Sequence, residues 1–148
     1  MNLRNFAAAL ILACAGLFTL TSCGKDDERL ATQIENNITK GTWRISNFDD
    51  SNVDKTDVFE DFDFTFGSNG SLTATNGTLT YTGTWDITDG DENDDILDDL
   101  DFKINFPLTN EFQDLNDDWD IFAQSVDNLE LTEAGGITDT DLLSFRKN

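Results

Sequence analysis

The clearest hydrophobic pattern in the chain lies between Thr78 and Thr88. Apolar residues and one glycine occupy alternate positions there, namely Leu79, Tyr81, Gly83, Trp85 and Ile87. The positions between them hold threonine or aspartate. Because successive side chains of a strand point to opposite faces of a sheet, this pattern predicts a strand over 78–88 with one buried and one solvated face.

The same two-residue period recurs after residue 40. It is clearest in two phenylalanine-rich runs, Phe62 to Phe66 and Phe102 to Phe106. Together, these patterns predict eight strands, at 41–48, 58–67, 70–76, 78–88, 101–107, 117–124, 127–132 and 141–146. The only proline, Pro107, ends one of these strands, where it removes no hydrogen bond from the ladder.

Two dipeptides, Asn69-Gly70 and Asn76-Gly77, separate consecutive predicted strands. Such dipeptides favour type I′ hairpin turns, because both central residues of that turn need a positive φ. They predict that residues 58–88 form a meander of three strands. Gly83 lies on the buried face of its strand, which indicates a bend in the sheet or the close approach of another backbone.

Eight short antiparallel strands with one apolar face must close on themselves or pack against a second sheet. Closure removes the exposed edges of the sheet. We therefore expect an all-β fold, an eight-stranded antiparallel up-and-down barrel over residues 41–148. A two-sheet β-sandwich is the alternative.

The first 22 residues have a different pattern. Arg4 precedes an uncharged apolar run from Phe6 to Leu20, which is too short to cross a bilayer comfortably and has the length of a signal-peptide core. The run leads into the sequence LTSC, which ends at Cys23 and resembles the bacterial lipobox. This resemblance implies that residues 1–22 are a lipoprotein signal peptide and that Cys23 is lipidated. A plain secretory signal with an incidental cysteine is the alternative.

Residues 23–40 are polar, and we expect them to form a lipidated acidic tether with at most one short helical turn. Four charged residues follow Cys23, namely Lys25, Asp26, Asp27 and Glu28. This run resembles the surface-export signal of Bacteroidota lipoproteins, and the alternative is a solvated charge run. The resemblance implies a protein of the outer membrane that is exposed at the cell surface and contacts the membrane through its lipid.

Composition narrows the classes of function. The formal net charge of −21 repels nucleic acid, so we expect no nucleic-acid partner. Cys14 falls in the predicted signal peptide and Cys23 carries the lipid, so the domain has no disulfide and needs a hydrophobic core. Without any histidine, a Ser-His-Asp arrangement is excluded. We expect no enzyme, no catalytic residue and no cofactor.

The tripeptide Gly-Thr-Trp occurs twice, ending at Trp43 and at Trp85. A Gly-x-Trp in the first strand of an eight-stranded antiparallel chain resembles the lipocalins. With the lipobox, it resembles the short lipocalin-like lipoproteins of Bacteroidota over about 41–146. The Thr-Asp-x-x-Tyr signature of the lipocalins is missing. The resemblance implies that Trp43 closes one end of the barrel and that Arg146, a basic residue of the last strand, lies across it.

The interior of an eight-stranded barrel either holds one small ligand or is filled by its own side chains. The residues expected to line it are Phe62, Phe64, Phe66, Tyr81, Trp85, Phe102, Ile104 and Trp119. A pocket and a packed core both remain open. We expect a binding protein, with a small apolar ligand ahead of a glycan or protein partner and a structural role in the cell envelope as a further alternative.

Two other features invite a functional interpretation. Aromatic residues outside the predicted core register, Phe48, Phe59, Phe112 and Phe122, either mark a contact patch for a glycan or protein or cap the ends of the barrel. The acidic run 89–99 suggests calcium, but it does not follow the EF-hand spacing. We interpret this run as a solvated loop and predict no metal site.

Overall fold

The computed structural model describes residues 23–89, 100–133 and 141–148. One helix, α1 (Cys23–Ile38), precedes the strands. The strands are β1 (Trp43–Asp50), β2 (Val53–Asp54), β3 (Asp63–Phe66), β4 (Ser71–Thr75), β5 (Thr80–Asp89), β6 (Leu100–Asn105), β7 (Asp117–Gln124), β8 (Asn128–Glu133) and β9 (Leu142–Lys147). Two 3₁₀ helices, Thr56–Val58 and Glu111–Leu115, lie in the connections.

Eight of these strands form a closed antiparallel barrel. The order around it is β1-β3-β4-β5-β6-β7-β8-β9, and β9 pairs with β1. The short strand β2 lies outside this ring, in a hairpin with β1. The predicted eight-stranded up-and-down barrel is confirmed, and the alternative of a two-sheet sandwich is wrong.

Seven of the eight predicted strands agree with the observed strands to within two residues at each end. The exception is 58–67, of which only Asp63–Phe66 is a strand. Residues before it form a 3₁₀ helix and a turn that place Phe59 in the core. Leu79, predicted to be buried, lies in the turn before β5 and is exposed.

The hairpin turns differ in detail from the prediction. Gly70 and Gly77 have positive φ values of 79° and 83°, but the asparagines before them do not, so these turns are not type I′. The Asn76 side chain instead accepts hydrogen bonds from the backbone amides of residues 78 and 79. Two consecutive positive φ values, which a type I′ turn needs, occur instead in the β1–β2 hairpin, at Ser51 and Asn52.

Helix α1 is the largest departure from the sequence-based expectation. It has 16 residues, so the prediction of at most one helical turn in this segment is wrong. Ile34 and Ile38 lie one helical turn apart and are both buried against the barrel, with Leu30 packed beside them. A helix of this length is marginal alone, so the packing of this apolar stripe stabilises it.

Gly83 lies where β5 and β6 approach each other closely. A Cβ atom at this position would collide with the carbonyl oxygen of Asn105 and lie 2.9 Å from the Phe106 ring. The prediction that another backbone approaches Gly83 is therefore confirmed.

Candidate functional site

The residues predicted to line a ligand pocket come together inside the barrel. Seven of them are at most 8% exposed, and Tyr81 is half-buried. Phe66 lies at the centre of one cluster, with ring-centroid distances of 5.6 Å to Trp85, 5.8 Å to Phe102 and 5.4 Å to Phe145. The side chains thus contact one another as a packed core, which was the alternative to an apolar pocket.

The end of the barrel opposite α1 is filled by a second aromatic cluster around Phe112. This residue lies on the 3₁₀ helix between β6 and β7, and its ring centroid is 4.6 Å from Tyr81, 5.1 Å from Phe62 and 5.2 Å from Phe59. Four aromatic residues were expected either to form a surface patch or to cap the ends of the barrel. Phe48, Phe59 and Phe112 are buried, so the surface patch is wrong for these three and the capping alternative fits them. Only Phe122 is exposed, by 68%.

The other end of the barrel is closed by Trp43 and α1. The Trp43 indole is buried, and its Nε1 donates a hydrogen bond of 2.8 Å to the carbonyl oxygen of Ile38. The basic group over the ring is the Lys147 ammonium, 5.4 Å from the ring centroid. The prediction that Arg146 fills this role is wrong, because Trp43 pairs with Lys147 across β1 and β9, and Arg146 points to the outside.

A polar groove of about 880 Å³ lies on the outer wall of the barrel, across β5, β6 and β7. Its most polar row runs across the three strands, because Asp86 pairs with Lys103, and Lys103 pairs with Asp118. Lys103 Nζ donates a 2.9 Å hydrogen bond to Asp118 Oδ2, which raises the pKa of Lys103 above its ordinary value. The groove also contains a further carboxylate and three amides, Asp117, Asn69, Asn105 and Asn116.

Sequence reasoning missed this groove. Asp86, Lys103 and Asp118 were visible as polar-face positions of predicted strands, but their alignment depends on strand register. Register follows from pairing across β5, β6 and β7, and no turn sequence in these strands specifies it. One feature of the sequence pointed to this groove, namely a lysine and aspartates on the polar faces of neighbouring predicted strands.

Other predicted sites lie partly or wholly outside the described residues. Residues 1–22 and 90–99 are outside them, and so the signal peptide and the interpretation of the acidic run 89–99 as a solvated loop stay predictions. Cys23 and the export-signal positions belong to the start of α1. Within 23–89, 100–133 and 141–148, no group of three or more metal-binding side chains is present. No helix in these ranges is long and apolar enough to span a bilayer.

No protein-family model matches the chain, and no curated protein sequence matches it either. Among solved structures, a similar fold occurs in the crystal structure of a DUF4847 family protein from Bacteroides vulgatus ATCC 8482 at 1.00 Å resolution. The TM-score is 0.52 and the sequence identity is 18%, and the match covers 78% of this chain and 97% of that chain. At this identity the likeness shows the fold.

Proposed function

We propose that this protein is a lipid-anchored lipoprotein of the bacterial cell surface that binds a neutral glycan in the polar groove on β5, β6 and β7. The barrel interior serves as a packed scaffold in this proposal. The observation that carries it is the contrast between a core filled by aromatic side chains and an outer groove of about 880 Å³ that contains hydrogen-bonding groups. Its role is binding without catalysis.

The anchor is supported by the N-terminal sequence. The apolar run that ends in LTSC resembles a lipobox, and the charged residues after Cys23 resemble a surface-export signal. The fold neighbour from Bacteroides is in keeping with a protein of this bacterial group. Lipid on Cys23 would hold the chain at the outer membrane without a membrane-spanning segment.

Because aromatic side chains pack the interior, we expect a ligand to bind on the outside of the barrel. Phe66 and Phe102 are at most 1% exposed, and each of their rings contacts two or more others. An apolar ligand would have to displace these side chains, whose burial stabilises the domain by about 1.5–3 kcal/mol each. A small apolar ligand is therefore not the function that the geometry favours.

The chemistry of the groove favours a neutral ligand with many hydroxyl groups. Ionised carboxylates accept hydrogen bonds, and amide groups both accept and donate them, as glycan hydroxyls require. The one ammonium group, on Lys103, is already paired with Asp118 and lies beside Asp86. Carboxylates therefore outnumber ammonium groups, and an anionic ligand would be repelled.

An exposed aromatic ring lies on the same wall. Asp118 and Phe122 both point outwards from β7, whereas Trp119 and Ile121 between them are buried. Four residues along a strand place Phe122 about 13 Å from Asp118. An exposed ring at this distance from the groove could contact a further unit of a glycan chain, which is a role that the sequence had suggested for Phe122.

Glycan binding is tested with the mature lipoprotein in detergent micelles. A panel of neutral oligosaccharides and matched acidic oligosaccharides is titrated by calorimetry. We expect neutral members to bind and acidic members not to. Lys103→Met and Asp86→Ala should each weaken binding about tenfold, since each removes one or two hydrogen bonds to the ligand. Asp57→Asn is the matched control, because Asp57 is exposed and lies on the 3₁₀ helix Thr56–Val58, outside the groove.

Three results would contradict this proposal in different ways. Binding of a fluorescent apolar probe that is unaffected by Lys103→Met would favour the barrel interior. Capture of a defined protein partner by wild type and by both groove variants alike would favour another surface. Retention of palmitate labelling by Cys23→Ser, or protection from protease in intact cells, would contradict the surface anchor.

A further inference from the structure

A second hollow, of about 180 Å³, lies where α1 meets the turn between β3 and β4. Its barrel side consists of Ser68, Gly70, Trp85 and Asp86, and all four also line the polar groove. The hollow and the groove are therefore adjacent parts of one stretch of surface. Asp86 lies at their junction and faces outwards.

The helix side of the hollow is rich in hydrogen-bond acceptors. It consists of Glu35, Asn36 and Thr39. The Asn36 amide nitrogen donates to the Thr32 carbonyl at 2.8 Å, and the Thr39 hydroxyl donates to the Glu35 carbonyl at 2.6 Å. The Thr39 hydroxyl hydrogen and one of the two Asn36 amide hydrogens are thus used within the helix, and the hollow is lined by the Glu35 carboxylate, the Asn36 amide and the Thr39 oxygen. Such a wall binds the hydrogens of hydroxyl or ammonium groups.

This wall exists only while α1 is docked on the barrel. Ile34 and Ile38 are each 2% exposed in the docked position. The hydrogen bond from Trp43 to the Ile38 carbonyl fixes the end of the helix against β1. Docking therefore places Glu35 and Asn36 opposite Asp86, and undocking would leave only the barrel side of the hollow.

We propose that the glycan site continues from the groove onto α1, so that α1 forms a second subsite for hydroxyl groups of the same ligand. This inference rests on the proposed glycan binding, and it adds that ligand binding is coupled to the docking of α1 on the barrel. A ligand that contacts both α1 and the barrel binds the docked state more tightly, and by reciprocity it stabilises docking. Because α1 begins at Cys23, bound glycan stiffens the connection between the barrel and the lipid anchor.

The coupling is tested by comparing variants on the two faces of α1 in the mature lipoprotein in micelles. The probe is the neutral oligosaccharide of the panel with the highest affinity. Glu35→Ala and Asn36→Ala should each weaken binding about fivefold to tenfold, the equivalent of about one hydrogen bond. Gln33→Ala, on the exposed face of the helix and outside the hollow, should bind as wild type does.

Hydrogen exchange supplies a second measurement. The probe should slow amide exchange in residues 28–38 of wild type, and Ile34→Ser, which weakens docking, should lower affinity although no groove residue has changed. Wild-type affinity in Glu35→Ala and Asn36→Ala, with unchanged exchange in α1, would overturn the inference. If Lys103→Met still weakened binding in that case, the groove proposal would stand. If no neutral oligosaccharide bound at all, both proposals would fall.

Discussion

The indole Nε1 of Trp43 lies 2.8 Å from the carbonyl oxygen of Ile38 and donates a hydrogen bond to it. This bond joins the first residue of β1 to the last residue of α1. The ammonium group of Lys147, the last residue of β9, lies over the Trp43 ring, 5.4 Å from the ring centroid. One tryptophan therefore connects the helix, the first strand and the last strand of the barrel.

Trp43→Phe tests this junction. The ring remains apolar, but the buried Ile38 carbonyl loses its donor, so we expect the free energy of unfolding to fall by about 1–3 kcal/mol. Urea denaturation followed by circular dichroism measures the change. Arg146→Gln is the control, because Arg146 is exposed and its replacement should change stability by less than about 0.5 kcal/mol. Equal stability of Trp43→Phe and wild type would contradict a stabilising role for the bond.

Gly83→Ala should destabilise the barrel by about 1–3 kcal/mol or more. The added methyl group would collide with the Asn105 carbonyl, which belongs to the paired strand and cannot move without breaking the ladder. Thermal denaturation compares it with Gly77→Asn. Gly77 has a positive φ but no atom within 4 Å of the position that a Cβ would take, and asparagine tolerates that conformation. A smaller loss at Gly83 than at Gly77 would show that β5 and β6 can separate there.

Phe66→Ala tests whether the interior is a packed core. Removing this ring from its contacts with Trp85, Phe102 and Phe145 should lower the free energy of unfolding by about 3–5 kcal/mol. Phe122→Ala removes the same side chain from an exposed position and should change stability by less than about 0.5 kcal/mol. Chemical denaturation of both variants gives the comparison. If Phe66→Ala lowered the free energy of unfolding only slightly, the interior would not be tightly packed around this ring.

Acid should weaken the ion pair between Asp50, the last residue of β1, and Lys55, the residue that follows β2. Lys55 bridges Asp50 and Asp114, with a distance of 2.8 Å to Asp114 Oδ2. The hydrogen bond from Lys55 lowers the pKa of Asp50 below its ordinary value of 3.8. The folded protein therefore binds fewer protons at Asp50 than the unfolded chain does. This contribution to stability is complete above the unfolded pKa and is lost as the pH falls through the folded pKa.

The difference in unfolding free energy between wild type and Asp50→Asn should therefore be largest near neutral pH and should shrink below about pH 4. Urea denaturation across this range measures it. Asp57→Asn, on the exposed 3₁₀ helix Thr56–Val58, is the control for the general effect of removing one carboxylate. A constant difference between wild type and Asp50→Asn from pH 7 to the acid range would contradict the assignment.

The strands were predictable because their signal is local. In β5, Gly83 and Trp85 face inwards and alternate with threonines, and in this pattern burial of one face is enough to specify a strand. Helix α1 was missed for the opposite reason. Ile34 and Ile38 have helical spacing among many polar residues, and only the end of the barrel supplies the apolar surface that makes a helix of this length stable.

An all-β barrel with an aromatic interior could be predicted from the chain alone, because alternation and turn residues act over a few positions. The tertiary structure places Lys147, and not Arg146, over Trp43, and this choice depends on the register between β1 and β9. It also decided that Phe112 fills one end of the barrel and that Asp86, Lys103 and Asp118 form one row. These arrangements join residues far apart in the chain, and their geometry exists only once the barrel has closed.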